Sequence, residues 1–406
     1  MKKKNIIYGA LASFAFLLSS CSSDDVVPVN ESGNGQIKVR LSGSAKTVGG
    51  VPVTKAGSVA GSPEESNVDA LLAVAFNDLA ASASMSGGAS TEDDGDTFYK
   101  IIEIPVTEDS PSELSFGLGM EGDFQICFIA NANETLKNKL GEVLTSSSNT
   151  VKDLKDFVMT TDDGSTSIQA PDSKEGGMLM VSPFYSVKSS FSSSAAQELS
   201  VNLTRLMARM DIVNACDGIN IQKVIFKNRA IGTKLFDFEV KQPEKTLETN
   251  AKEYDMTALV TDSDGKGLVG NSSKAAEYKE GIYTYSQFGK EKGGSDGATD
   301  ERPSVEVQYK MPSVAGDKTY TYTLYFKEAE GDAEKPLKNN YLYTLKISNA
   351  NNNIRFTLDV ADWNEGKTIE VGVDQIIDGI TGDVIQSGVN NPGVWGNGGE
   401  ENITAQ

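Results

Sequence analysis

Ile354-Arg355-Phe356-Thr357-Leu358-Asp359-Val360 decides the fold. Apolar side chains stand at every second position, with Arg355, Thr357 and Asp359 between them. A period of two sends alternate residues to opposite faces of an extended strand, one face for a core and one for water. Just upstream, Tyr341 to Ile347 alternates as well, and Tyr320 to Phe326 places Tyr320, Tyr322, Leu324 and Phe326 on one face. Working back along the chain, Gln36 to Ser42 aligns Ile37, Val39 and Leu41 on one face. Val68 to Phe76 is a nearly continuous apolar run, as a strand covered on both faces would be. Strands are also predicted at Tyr99–Val106, Glu113–Leu118, Phe124–Ala130, Met178–Val181 and Gln197–Val213. Helical spacing is confined to two short stretches. One follows an N-cap at Asn133, with Leu136 and Leu140 before Gly141, and the other spans Asn149 to Phe157, with Leu154 and Phe157 inward. Turn clusters recur at Asp262–Gly267 and Gly293–Asp300. The pattern predicts a mainly β protein: two β-sandwich domains with a few short helices.

The beginning of the chain is of a different kind. Lys2, Lys3 and Lys4 precede an apolar run from Ile6 to Leu18, too short to span a bilayer, and a polar stretch begins at Ser22. A basic start, a short apolar stretch and a small-residue exit make a secretory signal. Leu18-Ser19-Ser20-Cys21 resembles a bacterial lipobox, which implies that Cys21 carries lipid and begins the exported chain. The expected organisation is a lipoprotein signal (1–20), a tether (21–35), a first sandwich (36–194), a second (195–367) and a C-terminal extension (368–406).

Composition narrows the function. The 406-residue chain has a formal charge of −20, which becomes −23 once Lys2, Lys3 and Lys4 leave with the signal. Such acidity excludes a nucleic-acid partner, which needs a basic footprint. The chain has no histidine. That removes Ser-His-Asp and Cys-His nucleophiles and His-based zinc sites, and no metal or other cofactor is expected. Gly293-Gly294-Ser295-Asp296-Gly297 matches a nucleophile elbow in letters, but no strand precedes it and there is no histidine to activate the serine. Asp262-Ser263-Asp264-Gly265 lacks the later ligands of a calcium loop and reads as a turn. Catalytic residues are therefore predicted to be none. Cys127 and Cys216 either pair in the oxidising compartment or act as small buried hydrophobes.

Four segments together resemble the fimbrillin family, the type V pilins of Bacteroidetes-type bacteria. The first is the lipoprotein start, a strand, a loop with Lys55-Ala56-Gly57, and the Val68–Phe76 strand. The second is Phe124-Gln125-Ile126-Cys127-Phe128-Ile129-Ala130-Asn131. The third is Leu203-Thr204-Arg205-Leu206-Met207-Ala208-Arg209-Met210-Asp211. The fourth is Asn339 to Ile347 followed by Asp359-Val360-Ala361-Asp362-Trp363. Each also has a plainer role available: Arg205 and Arg209 in ion pairs, Trp363 in a core corner.

The resemblance implies transthyretin-like sandwiches and an outer-membrane lipoprotein precursor held by lipid on Cys21. A trypsin-like protease would remove the first strand, here Ile37, Val39 and Leu41, by cutting between Lys55 and Ala56. Lys55 stands where the family usually has Arg, and Arg40 is the second choice. The opened sheet edge would accept a strand from another copy or from a related fimbrial subunit. The donor would come from the C-terminal extension, with Ile369, Val371, Val373, Ile376, Ile380 and Val384 as anchors. The alternative is that this segment folds back as a last strand of its own domain. A head-to-tail contact does not close, so the product is a cell-surface fimbria. The expected role is its shaft subunit. Competing roles are a tip or anchor adhesin of the same fimbria, or a surface glycan-binding lipoprotein.

Overall fold

The computed structural model describes residues 36–43, 65, 67–78, 95–106, 114–160, 167–172, 177–191, 196–236, 246–247, 251–260, 266–287, 303–311, 318–325, 337–350, 353–363, 368–378 and 384–387. The chain begins with β1 (Gln36–Gly43), β2 (Leu71–Asn77), β3 (Thr97–Ile104), β4 (Leu114–Gly117) and β5 (Gly122–Ala130). Helices α1 (Glu134–Val143) and α2 (Val151–Lys155) follow, then β6 (Met180–Val181), β7 (Tyr185–Ser189) and β8 (Gln197–Arg205). Next come β9 (Met207–Ala215), β10 (Asn220–Lys227), β11 (Ala230–Gly232), β12 (Thr246–Leu247), β13 (Lys252–Asp255) and α3 (Met256–Leu259). The remainder is β14 (Leu268–Val269), β15 (Ala276–Tyr285), β16 (Ser304–Met311), β17 (Lys318–Tyr325), β18 (Tyr341–Ala350), β19 (Asn353–Asp362), β20 (Thr368–Asp378) and β21 (Val384–Ser387). The protein is mainly β with a few short helices, as the alternation predicts.

The first sheet runs β3-β2-β5-β6-β8-β1-β4, with β7 also on β5. Its strands β2 and β5 are covered on both faces. Leu71, Ala73, Ala75, Ile126 and Phe128 share a core with Ile37 and Val39 of β1. Leu72, Val74, Phe76, Cys127 and Ile129 face the other way, toward Leu136, Leu140 and Leu154 of the helices. That two-sided burial is why the sequence reads there as an unbroken apolar run.

Two further sheets, β13-β10-β16-β17 with β14 on β10, and β15-β9-β18-β19-β20-β21, enclose a third core rich in tyrosine. The alternation that opened the sequence reading is realised here: Ile354, Phe356, Leu358 and Val360 are buried in it, with Phe356 stacked on Tyr322 at 3.9 Å. A small β11–β12 ladder completes the set.

Several expectations change in detail. The run predicted as strand from Gln197 to Val213 divides at Leu206, where the chain passes from the first sheet into the sheet of β9. A division at 194/195 therefore separates β8 from the β1 and β6 it pairs with. Helix α1 runs through Gly141 instead of ending before it, because Leu140 and Leu144 are both buried and hold the last turn to the core. Cys127 and Cys216 are buried in different cores and are not bridged to each other, so the disulfide alternative does not hold. Burial pushes the Cys216 thiol up to about 11, with Asp217 adding to it.

Candidate functional site

β1 stands in the interior of the first sheet although it comes first in the chain. Residues 37–43 run parallel to β8, Ile37 opposite Gln197 and Gly43 opposite Leu203. On its other side, Gln36–Val39 run antiparallel to Gly117–Leu114 of β4. Its strand neighbours are thus remote in sequence, and β2, which follows it, is not among them. A single cut after β1 would separate it without breaking any hairpin.

The strand parity predicted from sequence is the one observed. Ile37 and Val39 are 1% and 0% exposed, and the half-buried Leu41 packs on the same core. The side chain of Arg40 is outward, 3.2 Å from Glu198, while its backbone lies in the ladder opposite Ser200. Burying Ile37, Val39 and Leu41 contributes roughly 4–8 kcal/mol, an upper estimate because the unfolded chain already covers part of that area. Without β1, the edges of β4 and β8 carry unpaired N–H and C=O groups. Between them lies an apolar trough whose core includes Leu114, Phe116, Phe128, Val201 and Leu203.

The described parts of the C-terminal extension lie at the outer edge of the last sheet. β20 pairs with β19, and β21 pairs in turn with β20. This is the placement given by the fold-back alternative. The β19–β20 ladder is irregular, however. Its register shifts twice, where Ala361 faces Thr368 but Val360 faces Glu370, and where Leu358 faces Gly372 but Thr357 faces Asp374. The residues skipped are Ile369 and Val373. Two of the three alternating apolar positions therefore fall at bulges, so pairing with β19 does not use the segment's own two-residue period. Ile376 lies in β20 and Val384 opens β21. Cys21, Lys55, Ala56 and Ile380 lie outside the described residues.

A buried polar cluster joins the segment before β2 to the end of β19. Glu65 is 1% exposed and its carboxylate accepts a hydrogen bond from Arg209 Nη1 at 2.6 Å and another from the Tyr283 hydroxyl. Arg209 also donates to Asp211 at 2.7 Å and to the Lys279 carbonyl at 2.7 Å. Arg205 donates to the Glu65 carbonyl at 2.7 Å and to Asn340 Oδ1 at 3.0 Å, with its guanidinium 4.6 Å from the centre of the Trp363 ring. Trp363 stacks on Tyr283 at 6.0 Å. Taking these charges from water is costly, and each is offset by an ion pair or charged hydrogen bond. Burial pushes the Asp211 carboxyl up to about 6 although Arg209 pulls it the other way. Burial alone would lower the Arg209 guanidinium, but Asp211 and Glu65 together hold it above its ordinary value. Burial, and then the Glu65 carboxylate, raise the Tyr283 hydroxyl.

Sequence reading singled out Arg205, Arg209 and Trp363 but not Glu65. The available signal was Arg209 in the largely apolar strand β9, a buried cation that calls for an acid beyond Asp211. Among the described residues no three His, Cys, Asp or Glu side chains gather so as to hold a metal ion. No described helix is long and apolar enough to cross a membrane.

No family model matches the chain, and no curated protein matches it in sequence. Solved structures with a similar arrangement include the tip fimbrial protein Mfa3 of Porphyromonas gingivalis, in a form with a C-terminal truncation. It is 13% identical, covers 81% of this chain and 100% of its own, and gives a TM-score of 0.44. A fimbrial assembly protein from Parabacteroides distasonis is also 13% identical, covers 83% of this chain and 98% of its own, and gives a TM-score of 0.43.

Proposed function

We propose that this chain is a structural shaft subunit of a cell-surface fimbria, exported as a lipoprotein through Cys21 and joined head to tail by strand exchange. The observation that carries the reading is the position of β1, a first strand inserted between β8 and β4 and bonded to both. Cleavage between Lys55 and Ala56 by a trypsin-like protease frees it. The vacated trough accepts the C-terminal extension of a second copy or of a related subunit.

The two segments suit the same trough. Ile37-Lys38-Val39-Arg40-Leu41 and Ile369-Glu370-Val371-Gly372-Val373 carry apolar residues at the same three alternating positions. The incoming strand replaces Lys38 by Glu370 and Arg40 by Gly372, so it brings no cation to Glu198. The irregular β19–β20 ladder supports the reading, because a strand held by bulged pairing is the easier one to transfer. The alternating apolar residues Ile369, Val371 and Val373 favour a shaft role over a tip.

The test is to prepare two forms, one beginning at Cys21 and one at Ala56, and to compare them on detergent gels before and after boiling. The shaft reading expects ladders from the Ala56 form, their loss on truncation after Trp363, and none from the uncut form. Monomers throughout would overturn it.

A further inference from the structure

The chain just before β2 is held far more firmly than a connecting segment needs. Beyond the Glu65 contacts, Val68 is 0% exposed in the core beneath β1. Asn131, at the end of β5, takes the left-handed conformation with φ 61° and gathers the segment around its side chain. Its Oδ1 accepts from the Asp69 amide at 2.9 Å and its Nδ2 donates to the carbonyls of Asn67 and Met178 at 2.7 and 2.8 Å. Its own amide donates to the Ala70 carbonyl at 2.9 Å. Gly177 leaves room for this: a Cβ there would meet Asn131 Nδ2 at 2.4 Å.

We propose that Glu65 and Asn67–Ala70 form a clasp that retains the start of the mature chain once everything before it has been cut away. The inference rests on the processing proposed above. β1 and the clasp are secured independently, β1 by its two ladders and the clasp by Arg205, Arg209, Tyr283 and Asn131. Loss of the first takes cover from Val68, which shares its core, but leaves these polar contacts in place. Without a clasp, a new chain end close to β2 would fray into a central strand and expose Leu71 and Leu72. The clasp therefore fixes how far trimming can run: it halts at Glu65 and does not reach β2.

The test uses the whole exported chain, nicked with trypsin and then exposed to an aminopeptidase, with the N-terminus read by intact mass and β2 followed by hydrogen exchange. Glu65→Gln removes one of the two carboxylates paired with Arg209, and Asn131→Ala removes the second anchor at a separate point. The expected result is a wild-type end at or before Glu65. Both variants should be trimmed past Ala70 at least about tenfold faster. Before nicking, β2 protection should match the wild type, which separates a clasp from a general folding defect. Wild-type trimming past Ala70, or variants that halt where the wild type does, would overturn the proposal. Polymerisation is not part of this readout, so a failure to form filaments and a failure of the clasp are seen separately.

Discussion

Val39→Ala is the sharpest probe of β1, because its effect depends on whether the strand is still present. Val39 is 0% exposed, opposite Leu199 on one side and Leu114 on the other. Truncation to alanine removes two methyl groups, about 1.6 kcal/mol of transfer free energy, and the residual cavity brings the loss to about 2 kcal/mol. At about 1.4 kcal/mol per decade, that is roughly a thirtyfold change in the equilibrium for strand departure. The assay has two stages. Urea unfolding of the uncut chain reports the stability loss. Trypsin nicking followed by size separation then reports how fast the released β1 peptide leaves, which the substitution accelerates about thirtyfold. Arg40→Ala is the control, since its exposed pair with Glu198 contributes less than about 1 kcal/mol. Once the peptide is gone, Val39→Ala and wild type are the same protein and must melt alike. Equal effects of Val39→Ala and Arg40→Ala, or a stability difference surviving removal of the peptide, would refute the reasoning.

Further outcomes are expected. Val371→Lys leaves monomers foldable but puts a charge into the trough, lowering polymer yield by about tenfold or more on detergent gels. Asp211→Asn removes a carboxyl whose folded pKa is raised to about 6 from an ordinary 3.8. A raised carboxyl favours the folded state at low pH, and that contribution fades as pH climbs from about 4 to about 6. The urea midpoint of wild type relative to Asp211→Asn is therefore expected to rise between about pH 7 and about pH 4.5, and a constant difference would exclude the assignment. With no disulfide between Cys127 and Cys216, reducing agent is expected to leave the melting temperature unchanged.

Strands with one wet face were legible in the sequence because parity alone defines them. Ile37 and Val39, and Ile354 to Val360, occupy the faces their alternation assigns. The two-faced strands β2 and β5 were recognisable as buried, but not which side met helices, because both sides are apolar. The split at Leu206 was invisible: Leu206 and Met207 are both buried, so hydropathy runs unbroken across a change of sheet. The slot around β1 depends on pairing with β4 and β8, far away in sequence, which no local pattern encodes. Glu65 was missed for a related reason. An acid among polar neighbours reads as solvated, and only the distant Arg209 and Tyr283 make it an interior charge.

The place where Trp363 sits has a mechanical consequence. If a tail is drawn into a neighbouring subunit, tension enters this one immediately after β19. That strand is paired with β18 along ten successive positions, from Tyr341 opposite Asp362 to Ala350 opposite Asn353. A pull along the strand axis shears these pairs together instead of opening them one by one. From Trp363, through Arg205 and Arg209 to Glu65, the same pull passes into the segment that leads to β2. Force crossing a subunit would then run from the end of β19 to the start of β2 through buried charge.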